Sequence, residues 1–474
     1  MTFGCGTRNT AALAMACLSW LPVAAQTVRI AVPTEVDRET DPRRFVEPHL
    51  AVDPNDPDHL LAGVFMSWDQ GTRQEMQANQ RCASFVSRDK GRSWSRHDFP
   101  LVDCVDPQVA IFPDGQAIFA GLGRMPGIQP RTNDWLVVYD SPDGGVTWDA
   151  EPTVLGAGHD HPALVVDVRS PSRKGWAYIT TTRAWRDGNG DEVSGVFVVR
   201  SRDGGKSFDD PTIVAPNGLH NGAEMPAILS DGTLIASFVD ESRSPPRFER
   251  RRAWIIRSEN GGSSFSTPFL VSNDVCGPPP VFQLSALVAD ASEGPSRDWL
   301  YFACRQAGGG PVVIVSSKDR GKTWNRPGVA VGPTTIDVNT RRVMTLAVNN
   351  AGVVGAFIAE RRAKYGEACL RFLFTASFDA GESFGPPEPV STSECRESTT
   401  EEIAQRRHPT NGDYFGMTSL PDGTFRVMWA QMREGRSVLL TTTITPIGSL
   451  RYPCGLNLID QISLLERLYA SVRM

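Results

Sequence analysis

Apolar residues fall in short runs along the chain, each closed by Gly, Pro, Asp or Asn. Trp135-Leu136-Val137-Val138-Tyr139 and Val196-Phe197-Val198-Val199-Arg200 are representative. Runs of this length, bounded by turn formers and rich in β-branched and aromatic residues, read as strands. Two more runs precede each of these, joined by a Pro/Ser-Asp-Gly hairpin. Val109-Ala110-Ile111, Pro113-Asp114-Gly115 and Ala117-Ile118-Phe119-Ala120 make one such pair. Ala227-Ile228-Leu229, Ser230-Asp231-Gly232 and Leu234 to Phe238 make another.

An octapeptide follows the third run of each unit and recurs six times. The copies are Ser87–Trp94, Ser141–Trp148, Ser201–Phe208, Ser258–Phe265, Ser317–Trp324 and Ser377–Phe384, with starts 54 to 60 residues apart. Asp holds the third position, except for Asn260 in the fourth copy. Gly at the fifth position and an aromatic at the eighth never fail. Asp in a tight turn accepts backbone N–H groups, Gly supplies positive φ, and the aromatic points into an apolar seam. Each octapeptide is therefore expected to join a third strand to a short fourth one. Four-stranded units at a fixed period of about 57 residues are the blades of a β-propeller.

The pattern predicts an all-β chain with seven four-stranded blades, six being the alternative. The seventh unit, 412–445, has no octapeptide and no fourth strand of its own. The run Thr27–Val32 is placed to supply that strand and close the ring with both chain ends. The expected division is a signal segment at 1–25, the propeller at 26–446 and a tail at 447–474 with a weak helical pattern.

The octapeptide resembles the Asp box of the bacterial neuraminidase repeat. From roughly Phe45 to Pro446 the chain resembles the sialidase-like propeller superfamily. Sialidases of known type are six-bladed, so a count of seven is a departure from that family.

Composition narrows the remaining possibilities. With 43 Gly and 35 Pro, these two residues make up about a sixth of the chain, above the roughly 12 % of an average protein. The turns absorb that excess. A net charge of -6 gives no case for a nucleic-acid partner. No apolar run after the first 25 residues is long enough to span a bilayer. Arg8, the apolar stretch Ala11–Ala25 and the small residues Ala24-Ala25 read as a secretory signal cleaved after Ala25, giving a secreted or periplasmic protein. A lipoprotein reading on Cys17 lacks the usual large aliphatic residue three positions before the cysteine. Export makes disulfides available. Sequence order suggests Cys82–Cys104, Cys276–Cys304 and Cys369–Cys395, leaving Cys454 over, although connectivity cannot be deduced from sequence. No CxxC or Cys/His spacing marks a zinc site, and no cofactor motif is present. The clustered carboxylates leave room for a structural or mouth-bound calcium ion. Nothing in the sequence addresses the oligomeric state.

The octapeptides lie on one face, so chemistry is expected on the other, where the innermost strands begin. Aligning the seven units puts Pro48, Pro107, Pro162, Pro226, Leu284, Met344 and Phe415 in one column. Before it stand Glu47, Asp106, His161, Met225, Gln283, Val343 and Tyr414. One step earlier stand Val46, Val105, Asp160, Glu224, Phe282, Arg342 and Asp413. Loops after the second strands add Asp69, Arg124, Arg183, Arg305, Arg361 and Arg433.

Sialidases use an Asp acid/base, a Tyr nucleophile assisted by Glu, and three Arg that clamp the substrate carboxylate. The resemblance implies Asp69, Glu224 and Tyr414 as the catalytic residues and Arg305 and Arg361 as substrate-binding residues. Glu47, Asp106 and Asp160 join these as further substrate-binding candidates. The family's leading Arg-Ile-Pro is replaced by Val46-Glu47-Pro48, so its first Arg is missing. Glu47 there would repel a carboxylate sugar, which favours a neutral or differently charged glycan. The expected function is a secreted, sialidase-like glycoside hydrolase; the alternative is a non-catalytic carbohydrate- or protein-binding propeller. Plain structural roles compete at every position. Strand-entry carboxylates cap N–H groups, loop arginines form ion pairs, Asp160-His161-Pro162 can be a capped turn, and Tyr414 can plug the channel.

Overall fold

The computed structural model describes residues 26–40, 43–68, 75, 78–125, 135–186, 188–190, 192–215, 220–223, 225–241, 251–276, 286–305, 311–325, 327–332, 341–364, 367–392, 396–397, 412, 414–434 and 436–448. Of residues 192, 220–223, 240–241, 251, 273–276, 304–305, 341, 361–364, 367–369, 392 and 396–397 it describes the backbone alone. Residues 1–25, where a signal segment is expected, the tail beyond 448 and Cys454 lie outside this set. No helix among the described residues is long and apolar enough to cross a membrane.

The chain is a seven-bladed β-propeller of antiparallel sheets. The first blade runs Arg43–Val52, Leu60–Trp68, Arg81–Ser87, Ser95–Asp98 from the channel outwards, and the second Val102–Ile111, Ala117–Arg124, Trp135–Ser141, Thr153–Ala157. The third to sixth follow the same order. The innermost strands touch their neighbours in turn around the ring, and the seventh blade returns to the first. Closure joins the first and last described strands. Thr27–Ile30 pairs with the far end of Arg436–Ile447, and a second segment, Thr34–Glu39, pairs with its near end. The expected closing strand is therefore two pieces laid end to end.

The octapeptide turns share one construction. Ser87 Oγ accepts the Gly91 N–H at 2.8 Å and donates to Asp89 Oδ1 at 2.8 Å. Asp89 then accepts the Arg92 and Ser93 N–H groups and the Ser93 hydroxyl. The same serine-to-glycine bond recurs in the other five copies. The fourth and fifth positions both have positive φ in all six. Lys90, Arg320 and Ala380 tolerate this at the fourth position. At the fifth, in four of the six copies, a side chain would also strike the preceding blade: a Cβ on Gly145 would lie 2.5 Å from Leu61 Cδ1, and one on Gly321 2.3 Å from Ile255 Cδ1. Glycine is thus required twice over there.

The core is divided into seams between blades. Six of the seven seams receive the octapeptide aromatic of the later blade: Trp94, Trp148, Phe208, Phe265, Trp324 and Phe384. The seam between the sixth and seventh blades has no such residue, because the seventh blade has no octapeptide. It is filled instead by Phe357, Phe372, Phe374, Phe415, Phe425 and Trp429, with Val28 and Ile30 packed against them. Hairpins on the octapeptide face tie successive blades together. His59, fully buried, makes hydrogen bonds to Asp53 Oδ2 at 3.0 Å and to the Gly144 carbonyl of the second blade at 2.7 Å. Cys82 and Cys104 form a disulfide that joins the first blade to the innermost strand of the second. The side chains of Cys276, Cys304, Cys369 and Cys395 fall outside the described set.

Candidate functional site

The innermost strands of the first three blades each carry a bulge where they enter the sheet. Register shifts fall between Val46 and His49, on both sides of Val105, and between Asp160 and Ala163. At these bulges Glu47, Asp106 and His161 have φ of 52°, 53° and 49°. Non-glycine residues rarely adopt this region, and bulges re-aim side chains. The column read from the sequence is therefore one structural position repeated in three adjoining blades, each time followed by proline.

These entries bring their polar groups together. Glu47 is 1 % exposed and Asp106 8 %. The two side chains are hydrogen-bonded, and Asp106 also accepts the His161 backbone N–H. Burial is the main force raising the Asp106 pKa; His161 opposes it, the charge of Asp160 adds to it, and the bonds to Glu47 and His161 oppose it. Asp160 faces solvent, and its Oδ1 lies 3.8 Å from His161 Nε2. Donor atoms of Asp106, Asp160 and His161 lie within 4.8 Å of one another.

The seventh blade completes this mouth. A Cβ on Gly412 would stand 2.3 Å from Glu47 Cγ, and its φ is +129°, so glycine lets the chain pass over the glutamate. Two residues on, the Tyr414 hydroxyl donates to the Pro107 carbonyl at 3.2 Å, and the residue is buried. Gly412 thus lies against Glu47, and Tyr414 against the residue that follows Asp106.

The other candidates stand differently. Asp69 and Glu224 lie outside the described residues. Arg305 is the last residue of the strand Leu300–Arg305, and only its backbone is described. Arg361 does not end its strand, which continues to Lys364; its backbone pairs with Arg341 and Leu370. Of the other loop arginines, Arg124 Nε donates to Asp103 Oδ2 at 2.6 Å, the ion-pair role.

Sequence reasoning passed over one cluster. Arg342, Glu360 and Arg371 sit directly opposite one another on three strands of the sixth blade. Arg342 Nε donates to Glu360 Oε2 at 3.2 Å and Arg371 Nη2 to Glu360 Oε1 at 2.6 Å. Glu360 is fully buried and Arg342 1 % exposed, and among the described residues Arg342 Nη1 and Nη2 have no hydrogen-bond partner. Its sequence signal was present: Arg342 shares the column of Asp160, and Glu360 precedes Arg361. His159 was also missed. It is 2 % exposed, neither ring nitrogen has a partner among the described residues, and burial, then Arg183, lowers its pKa to about 4.

No family model matches the chain, and no curated protein matches it. Solved structures do. A Penicillium chrysogenum alpha-L-arabinanase complexed with arabinobiose is 14 % identical, with a TM-score of 0.46, over 70 % of this chain and 94 % of that one. A Hadza microbial sialidase is 13 % identical, TM-score 0.45, over 90 % and 93 %. Trypanosoma rangeli sialidase in complex with 2,3-difluorosialic acid is 12 % identical, TM-score 0.43, over 88 % and 59 %. These neighbours include sialidases, and the likeness is one of fold alone.

Proposed function

We propose that the chain is a glycoside hydrolase that receives a glycan at the channel mouth opposite the octapeptide turns. The supporting observation is the convergence of Glu47, Asp106, Asp160, His161 and Tyr414 from four adjoining blades. Glycosidic cleavage needs a proton donor and a nucleophile or base around one bond. In this reading Tyr414 is the nucleophile, Glu224 assists it, and Asp69 is the acid/base. Three acidic side chains at the mouth disfavour a carboxylate sugar, so the substrate is a neutral or differently charged glycan. The signal segment directs the protein to the periplasm or the exterior.

The test is turnover of an aryl sialoside and a panel of neutral aryl glycosides, by wild type and by a Tyr414→Phe, Glu224→Gln double variant. At least one neutral glycoside should turn over, with a loss of about 10³-fold in the variant. No turnover above the variant on any substrate overturns the reading. One observation favours a second reading, a glycan-binding platform: the Tyr414 hydroxyl is bonded to a backbone carbonyl, which cannot take up its proton. Retention of glycans on an array without turnover would support that reading over the first.

A further inference from the structure

Three acidic groups meet one imidazole at the mouth, two of them in low-exposure surroundings. Like charges gathered there are costly unless a proton or a cation neutralises them. Among the described residues, Asp106, Asp160 and His161 form the one group of three such side chains whose donor atoms could reach a single ion. They come from the entries of two neighbouring blades, set by bulges at the same column. Asp106 is already held by Glu47 and by the His161 N–H. Metal-ligating carboxylates are oriented in this way by outer hydrogen bonds.

We propose that Asp106, Asp160 and His161 bind a divalent transition-metal ion at the channel mouth, with Glu47 as the positioning residue behind Asp106. Donor chemistry selects the ion. Calcium takes six to eight oxygen ligands, whereas an imidazole with two carboxylates suits zinc or manganese. Three protein ligands leave a coordination position open towards solvent beside the exposed Asp160, where a sugar hydroxyl or a water can bind. The calcium ion that the sequence left room for is replaced here by a borderline one. This inference goes beyond the hydrolase reading and does not need it, because binding is measured without substrate.

The experiment uses the full chain after chelator treatment. Zn²⁺ is titrated by equilibrium dialysis with metal analysis, in parallel with Ca²⁺, and Co²⁺ spectra report the donor set. The expected result is one equivalent of Zn²⁺ bound in preference to Ca²⁺, with Co²⁺ bands of nitrogen and oxygen coordination and no thiolate absorption. Asp160→Asn and His161→Gln should each weaken binding at least about 10-fold, and Glu47→Gln by about 10- to 100-fold. The Asp160 side chain is 65 % exposed, so its variant is expected to fold, and circular dichroism checks this. Absence of bound Zn²⁺, preference for Ca²⁺, or binding that survives both Asp160→Asn and His161→Gln overturns the proposal.

Discussion

An imidazole that must remain neutral links the first two blades. His49 Nδ1 accepts the Val109 N–H at 3.1 Å, and only an unprotonated nitrogen can do so. Burial lowers its pKa from 6.5 to about 4. The unfolded chain takes up this proton near pH 6.5, the folded chain only near 4. The folded state therefore binds fewer protons across that window, and stability is lost as pH falls from 6.5 to about 4. The wild-type melting temperature should drop over this interval, and His49→Gln, which takes up no proton, should drop less steeply. Equal slopes would remove His49 from the account.

At the scale of the element, the octapeptide turn shows what the sequence makes legible. Its contacts lie within one hairpin, so position alone identifies them: Asp89 serves Ser87, Arg92 and Ser93. Asp89→Ala should cost about 1–3 kcal/mol in urea unfolding. Asp89→Asn should cost less, because Asn260 in the fourth copy still accepts the Ser264 N–H and donates to its hydroxyl. Equal losses would show that the charge, not the geometry, matters. The strand entries of the first three blades carry the same kind of local mark, a proline beside the bulge. The Arg342–Glu360–Arg371 row was not legible. It depends on the register of two hairpins, and a slip of one residue would turn each side chain to the other seam. The reach of Asp106 to Glu47 was equally hidden, since it joins different blades through folded geometry alone.

For the whole molecule, the count of seven was legible from the repeat, and so was the use of the amino-terminal run. Its division into two segments was not, because Pro33 between them interrupts the pairing without ending it. Deleting residues 26–39 would strip the outer edge of the seventh blade and uncover part of the seam that holds Val28 and Ile30. The deleted protein should self-associate on size-exclusion chromatography and lose a single cooperative unfolding transition. A monomer with wild-type unfolding would show that the closing pieces are dispensable. The seventh blade couples the first segment of the propeller to be synthesised with the last. A chain that stops short leaves Thr27–Glu39 without its partner strand and an unpaired edge open to proteases and to other chains. Ring closure thus acts as a test of the ring itself: only a product that reaches Ile447 can pair both closing segments.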